Sequence, residues 1–183
     1  MKKIKLFAIA SLVFTLLACQ STNQAKVNQD RNVTVDTSQY KTFAWLTPEK
    51  ILTAPVDINP VMKNRIDDDI VVAFEAKGYK LIESADDADF TISYTIGNRD
   101  KIKVDSYPTT YRAGFGWGRG YYGMGTETTV KQYTEGRLAI DVFDVKSKQP
   151  VWHGWAVKRI TSSDKDDPTA TIRTVVNEVI AQF

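Results

Sequence analysis

The chain of 183 residues has one cysteine, one histidine and almost no net charge. A single cysteine leaves no disulfide within the chain, and one histidine with one cysteine cannot build the usual zinc sites. A Ser-His-Asp hydrolase would have to use His153, which follows Trp152 in a segment that alternates like a strand. We therefore predict no catalytic residue, no metal and no cofactor, although the many carboxylates leave a paired-acid hydrolase as an alternative.

An excess of basic residues is also missing from most of the chain. Three of the 24 basic residues and none of the 22 acidic residues lie in residues 1–18, so the rest carries 21 basic against 22 acidic side chains. Because these residues carry almost no net charge, we expect no nucleic acid as a partner. Only one long apolar run occurs, Leu6 to Leu17. It is shorter than the roughly 20 residues that span a bilayer, as in a secretory signal.

The single cysteine stands directly after this run, in the tetrad Leu16-Leu17-Ala18-Cys19. The tetrad resembles a bacterial lipobox, and the start of the chain is basic, as signal peptides require. The resemblance implies a diacylglycerol on the Cys19 thiol, cleavage after Ala18 and acylation of the new amine. We predict a signal peptide at 1–18 and lipid attachment at Cys19. The alternative is an ordinary secretory signal with an incidental cysteine.

The residues after the cysteine indicate the location of the protein. Gln20 follows the cysteine, and by resemblance to proteobacterial lipoproteins it favours the outer membrane over the inner one. Residues 19–32 are polar and lack periodicity, which predicts a lipidated N-terminus and a flexible tether. Residues 33–183 should form one periplasmic domain, anchored in the outer membrane through N-terminal acyl chains.

Two segments have the period of amphipathic helices. Asn59-Pro60 and Asp167-Pro168 each combine an N-cap with proline at the first helical position, and Gly78 is placed to end the first helix. The apolar stripe of the first helix contains Met62, Ile66, Ile70 and Phe74. That of the second contains Ile172, Val175, Val176, Val179, Ile180 and Phe183.

Alternating apolar residues predict the strands. The predicted strands are 34–45, 79–82, 89–97, 126–145 and 151–160, the last two forming a hairpin. The order β-α-β-β-loop-β-β-α indicates an α+β fold, an antiparallel β-sheet with two amphipathic helices packed on one face.

Several segments together resemble the bacterial lipoprotein family known as domain-of-unknown-function family 4136. The matching segments are Tyr40 to Trp45, Lys77 to Tyr79, Ala88 to Tyr94, Glu135 to Val142 and Val151 to Ala156. The resemblance covers residues 33–183 and implies a lipid-anchored periplasmic domain with no assigned reaction.

The segment 107–125 interleaves six glycines with aromatic residues. Its candidate binding residues are Phe115, Trp117, Tyr121 and Tyr122. Exposed aromatic rings on a glycine-rich loop can stack on sugars, clasp a protein or lie at a membrane interface. The alternative is a long hairpin tip without a binding role.

Two acidic runs are predicted to be structural. Consecutive carboxylates on a helix point about 100° apart, so Asp67-Asp68-Asp69 cannot share one ion and should form a solvated face. Residues 164–167 are predicted to form a loop before the last helix.

These observations favour a non-catalytic interaction or accessory module that contacts an envelope protein. A glycan- or lipid-binding module that uses the loop 107–125 is the main alternative, and a hydrolase is a weaker one. The sequence leaves the oligomeric state open.

Overall fold

The computed structural model of the protein describes residues 23–46, 50–53, 58–110 and 124–183. Its strands are β1 (Lys26–Arg31), β2 (Thr42–Trp45), β3 (Ile51–Thr53), β4 (Lys80–Leu81), β5 (Phe90–Thr110), β6 (Met124–Asp144) and β7 (Pro150–Arg159). Its helices are α1 (Pro60–Ala76), α2 (Ser162–Asp166) and α3 (Pro168–Ile180). Within these ranges, no helix combines the length and the hydropathy needed to cross a membrane.

The strands form one sheet in the order β1-β7-β6-β5-β2-β4, with β3 also pairing to β5. The predicted α+β fold and the β6–β7 hairpin are confirmed, but the sheet is mixed rather than antiparallel throughout as predicted. The pairs among β1, β7, β6 and β5 are antiparallel, whereas β2 and β3 run parallel to β5. Helix α1 separates β2 and β3 from β5 along the chain, and such a crossover is what parallel pairing needs.

Both long helices begin where their caps predict. The side chain of Asn59 accepts a hydrogen bond from Val61 N at 2.8 Å, and that of Asp167 accepts one from Ala170 N at 3.0 Å. Gly78 follows α1 with φ of 94°, a left-handed conformation that ends a helix at little steric cost for glycine. The local signals therefore fix the helix boundaries.

The helices cover one face of the sheet, and an aromatic cluster lies between the two layers. Phe90 on β5 is fully buried, and its ring lies 5.2–5.8 Å from five other rings. Those rings belong to Tyr40, Phe43, Phe74, Tyr79 and Phe183. Together with Phe90 they come from four separate parts of the chain, so the cluster joins the sheet to α1 and to the end of α3.

The structure differs from the sequence prediction in several elements. The short strand β3 was not predicted, and the predicted strand 34–45 begins only at Thr42. Lys26–Arg31, predicted as tether, is strand β1, because its backbone pairs with the edge of β7. Strand β5 runs to Thr110 instead of ending at Gly97. Ser162–Asp166, predicted as part of a loop, is the short helix α2, in which Thr161 N and Oγ1 donate to the Asp164 carboxylate.

Gly154 on β7 is required for packing, which a substitution can test. A Cβ atom there would overlap the indole of Trp152, which is held by a 2.7 Å hydrogen bond from Nε1 to Gln29 Oε1. We expect Gly154→Ala to lower the free energy of unfolding by about 1–3 kcal/mol through overpacking. Gly97→Ala is the matched control, since a Cβ there meets no atom within 4 Å. Equal urea midpoints for the two variants would contradict the predicted packing.

Candidate functional site

Strands β5 and β6 extend beyond the rest of the sheet as a two-stranded ribbon. They pair along their whole length. In contrast, the pairing of β3 with β5 ends at Thr95, and the pairing of β7 with β6 begins at Glu135. We call residues 98–110 with 124–134 the ribbon. At about 3.3 Å per residue it spans roughly 40 Å. Apart from Thr134 O, which accepts a 2.8 Å hydrogen bond from Ile160 N, no described strand pairs with its outer edges, and exposed edges of this kind are available for pairing with a further strand.

One face of the ribbon exposes three large apolar side chains, next to polar residues such as Asp100, Gln132 and Thr134. Ile102, Val104 and Val130 are 63%, 57% and 60% exposed, and Val104 pairs directly with Val130. These side chains continue the sheet face that carries Phe90 and the helices, because alternate residues of a strand share a face. No described helix covers them. Large apolar side chains grouped in this way are typical of contact surfaces.

The opposite face of the ribbon is charged. Lys101 forms an ion pair with Glu135 at 2.7 Å, and Lys103 forms one with Asp105 at 2.9 Å. Lys131 lies directly across from Lys103. The two faces therefore differ in chemistry, and a partner that docks on the ribbon can distinguish them.

A cavity of about 370 Å³ lies at the base of the ribbon, between the helices and the sheet. We call it the foot cavity. Its apolar lining includes Met62, Ile96, Leu138, Ala156, Ile172 and Val175. Gly136 on β6 also lines it, and a Cβ atom there would lie 3.0 Å from Ile160 Cδ1, so the side chain of Ile160 packs closely over this glycine.

Asp164 lies at the rim of this cavity with both carboxylate oxygens occupied. It accepts hydrogen bonds from Lys158 Nζ at 2.7 Å, Thr171 Oγ1 at 3.1 Å, and Thr161 N and Oγ1 at 2.9 and 2.7 Å. Asn23 Nδ2 adds a fifth at 3.4 Å. Burial alone would raise the pKa of Asp164, but the bonds from Lys158, Thr161 and Thr171 hold it well below the usual range. Through these hydrogen bonds the Asp164 carboxylate connects α2 to β7, to α3 and to the N-terminal segment.

His153 lies on β7, in the segment that alternates like a strand, and its side chain is exposed. Its Nδ1 lies 2.6 Å from Asp141 Oδ1, and its ring lies 5.1 Å from that of Trp155. Ser93 is paired with Asp141 on the next strand, so the order across the sheet is Ser-Asp-His. A hydrolytic triad needs histidine next to serine, and Ser93 is fully buried.

In the described ranges, no three His, Cys, Asp or Glu residues are grouped so as to hold a metal ion.

The prediction of a solvated face for Asp67-Asp68-Asp69 is wrong for two of the three. Asp67 and Asp69 are buried. Asp67 accepts a 2.8 Å hydrogen bond from the Tyr94 hydroxyl and forms an ion pair with Lys63 at 3.0 Å. Burial, followed by this bond to Asp67, raises the pKa of Tyr94. These buried carboxylates serve packing, because each is matched by a donor from another element.

The predicted site residues lie outside the described part of the chain. These are the lipid attachment residue Cys19 and the loop residues Phe115, Trp117, Tyr121 and Tyr122. The loop itself is shorter than predicted, since 107–110 and 124–125 belong to β5 and β6. Sequence reasoning predicted one strand of the ribbon, within 126–145, but missed the extension of β5, although the alternation of Ile102 and Val104 with lysines was a visible signal of a strand.

Comparison with known proteins gives the family of the chain. The family model described as domain of unknown function (DUF4136) matches residues 27–183. A solved DUF4136 family protein from Bacteroides thetaiotaomicron is 16% identical, with a TM-score of 0.54 and coverage of 86% of this chain and 95% of that one. No curated protein matches the chain.

Two further solved structures share the fold. A PelC dodecamer from Paraburkholderia phytofirmans has a TM-score of 0.50 at 10% identity, with coverage of 86% of this chain and 95% of that one. A PDZ domain protein from Parabacteroides distasonis has a TM-score of 0.51 at 18% identity, with coverage of 96% of this chain but 39% of that one. At these identities the likeness establishes the fold alone.

Proposed function

The chain belongs to the DUF4136 family, and we propose that it is a non-catalytic accessory module of the bacterial cell envelope that works by binding other proteins. In this proposal, acyl chains on Cys19 anchor it in the outer membrane and the domain faces the periplasm. The basic start, the apolar run and the tetrad that ends at Cys19 support the anchor. The Ser93-Asp141-His153 order, which places histidine away from serine, supports a role without catalysis.

The ribbon is the observation that carries the proposal. It combines outer edges that pair with none of the described strands beyond Thr134 and three exposed apolar side chains, those of Ile102, Val104 and Val130. A partner that covered this face would remove large apolar side chains from water, and each contributes about 1.5–3 kcal/mol when fully buried. The unpaired edges could meanwhile accept a further strand, which gives affinity through backbone hydrogen bonds.

The partner could be another envelope protein or a second copy of this chain. The similar fold of PelC occurs as a dodecamer, which makes self-association a concrete form of the proposal. Cyclic assemblies arise when one patch of a subunit meets a different patch of its neighbour. A ribbon that projects from the domain can reach a neighbouring copy in this way.

Photo-crosslinking in cells tests the ribbon as the contact surface. We expect a photoreactive residue in place of Val104 to give a discrete protein adduct, whereas the same residue in place of Val72 gives none. Val72 is the matched control, because it is a valine of similar exposure, 61%, on α1. An adduct of twice the subunit mass would identify a second copy, and another mass would identify a different partner. Absence of adducts from both Val104 and Ile102 would refute docking on the ribbon.

A further inference from the structure

We propose that the foot cavity binds a fatty-acyl chain. The cavity volume of about 370 Å³ lies within the range of small-molecule sites. Its floor is formed by Leu138 and Ala156 on the sheet, and its walls by Met62 on α1 and Ile172 on α3. Met62 and Ile172 are only half-buried, so a ligand that filled the cavity would complete their burial.

The polar groups at the rim argue for an aliphatic ligand rather than a sugar or a nucleotide. Polar ligands are oriented by a few converging hydrogen-bonding groups. At this rim, Lys158 and Thr171 both donate to Asp164, whose two oxygens are already occupied. Replacing these bonds would leave buried polar groups unpaired, which is expensive. The lining also includes Asn98, Arg137 and Lys165, but most of it is apolar, which suits a flexible hydrocarbon chain.

The path of the N-terminal segment supplies a source for such a chain. Asn23 Nδ2 donates to Arg159 O at 3.2 Å and reaches Asp164 at the rim. Asn23 is four positions after Cys19, so the two Cα atoms are at most about 14 Å apart. If Cys19 carries the lipid, as the proposed function holds, the cavity lies close to the membrane surface. Both the acyl chains on Cys19 and those of membrane lipids could then reach it.

Photolabelling tests this proposal. Cells that express the full chain are supplied with palmitate carrying a diazirine in its hydrocarbon chain and are then irradiated. We expect adducts on the α1 and α3 peptides that contain Met62 and Ile172. Two variants fill the cavity, Ile172→Trp and Gly136→Leu, and both should lose this labelling. At Gly136 the new Cβ would lie 3.0 Å from Ile160 Cδ1, the flexible end of a side chain.

Thr174→Trp is the matched control, since it places the same side chain on the exposed face of α3. It should retain the labelling, and thermal melting of all variants identifies any that fail to fold. Absence of adducts from the lining peptides overturns the proposal. Labelling that persists when a folded variant fills the cavity overturns it as well.

A further variant, Cys19→Ala, separates the two sources of the acyl chain. Labelling that disappears identifies the protein's own anchor as the ligand, and labelling that persists identifies a membrane lipid or free fatty acid. Both results support an acyl-binding cavity. The ribbon crosslinks are measured independently, so failure of cavity labelling and failure of ribbon docking are distinguishable.

Discussion

Phe90→Ala should lower the free energy of unfolding by about 3–5 kcal/mol, the usual range for removing a buried phenylalanine ring. The Phe90 ring is fully buried and contacts five other aromatic rings. Its loss would leave a cavity between the sheet and both long helices, because α1 contributes Phe74 and Phe183 follows α3. Urea unfolding followed by near-ultraviolet circular dichroism measures the change.

Ile102→Ala on the same strand is the control for this experiment. Ile102 is 63% exposed on the ribbon, so its truncation removes little buried area and should change stability by less than about 1 kcal/mol. An unchanged midpoint for Phe90→Ala would contradict the assignment of Phe90 to the core. Equal losses for the two variants would show that the ribbon is buried in the isolated protein.

The elements predicted from sequence are those that local signals determine. Asn59 and Asp167 cap their helices through their own side chains, and proline follows each of them. The alternation of Phe90, Ile92 and Tyr94 placed all three on one face, and all three are fully buried. Periodicity and capping act within a few residues, so they can be predicted without knowledge of the fold.

Strand β1 was missed because distant residues create it. The segment Lys26–Arg31 is polar and mostly exposed, and it becomes a strand by pairing with the edge of β7. Arg31 at its end donates to Phe183 O at 2.6 Å and lies over the Phe183 ring. An edge strand needs no alternating apolar face, so its sequence resembles that of a tether.

The buried carboxylates were missed for a related reason. Asp69 accepts a 3.2 Å hydrogen bond from Arg173 on the other long helix, and Asp67 accepts one from Tyr94 on β5. A run of aspartates on a helix is ordinarily solvated, and only the packing of α1 against the sheet and α3 brings these donors within reach. The candidate site could be predicted only in part for the same reason. The alternation of Ile102 and Val104 indicates a strand, but the sequence does not show whether another layer of the fold covers that strand.

Asp164→Ala should be nearly as damaging as the loss of Phe90, with a decrease of about 3 kcal/mol in the free energy of unfolding. The substitution removes five hydrogen bonds. It also leaves the ammonium group of Lys158, whose side chain is 15% exposed, without its carboxylate partner. Asp166→Ala is the control, because it removes the same charge from an exposed position on the same short helix. A similar urea midpoint for the two variants would contradict the proposed anchoring role of Asp164.

The effect of Asp164 should also depend on pH, in a direction that its pKa determines. The folded state lowers the pKa of this carboxyl group, so the stabilisation is fully present above the ordinary aspartate value of about 4. It is lost progressively as the pH falls below that value, because the unfolded chain then takes up a proton at this residue that the folded carboxylate, paired with Lys158, resists. The gap in unfolding free energy between the unmodified protein and Asp164→Ala should therefore narrow between roughly pH 5 and pH 2. A gap that stayed constant over this range would mean that packing, and not the charge, accounts for the loss.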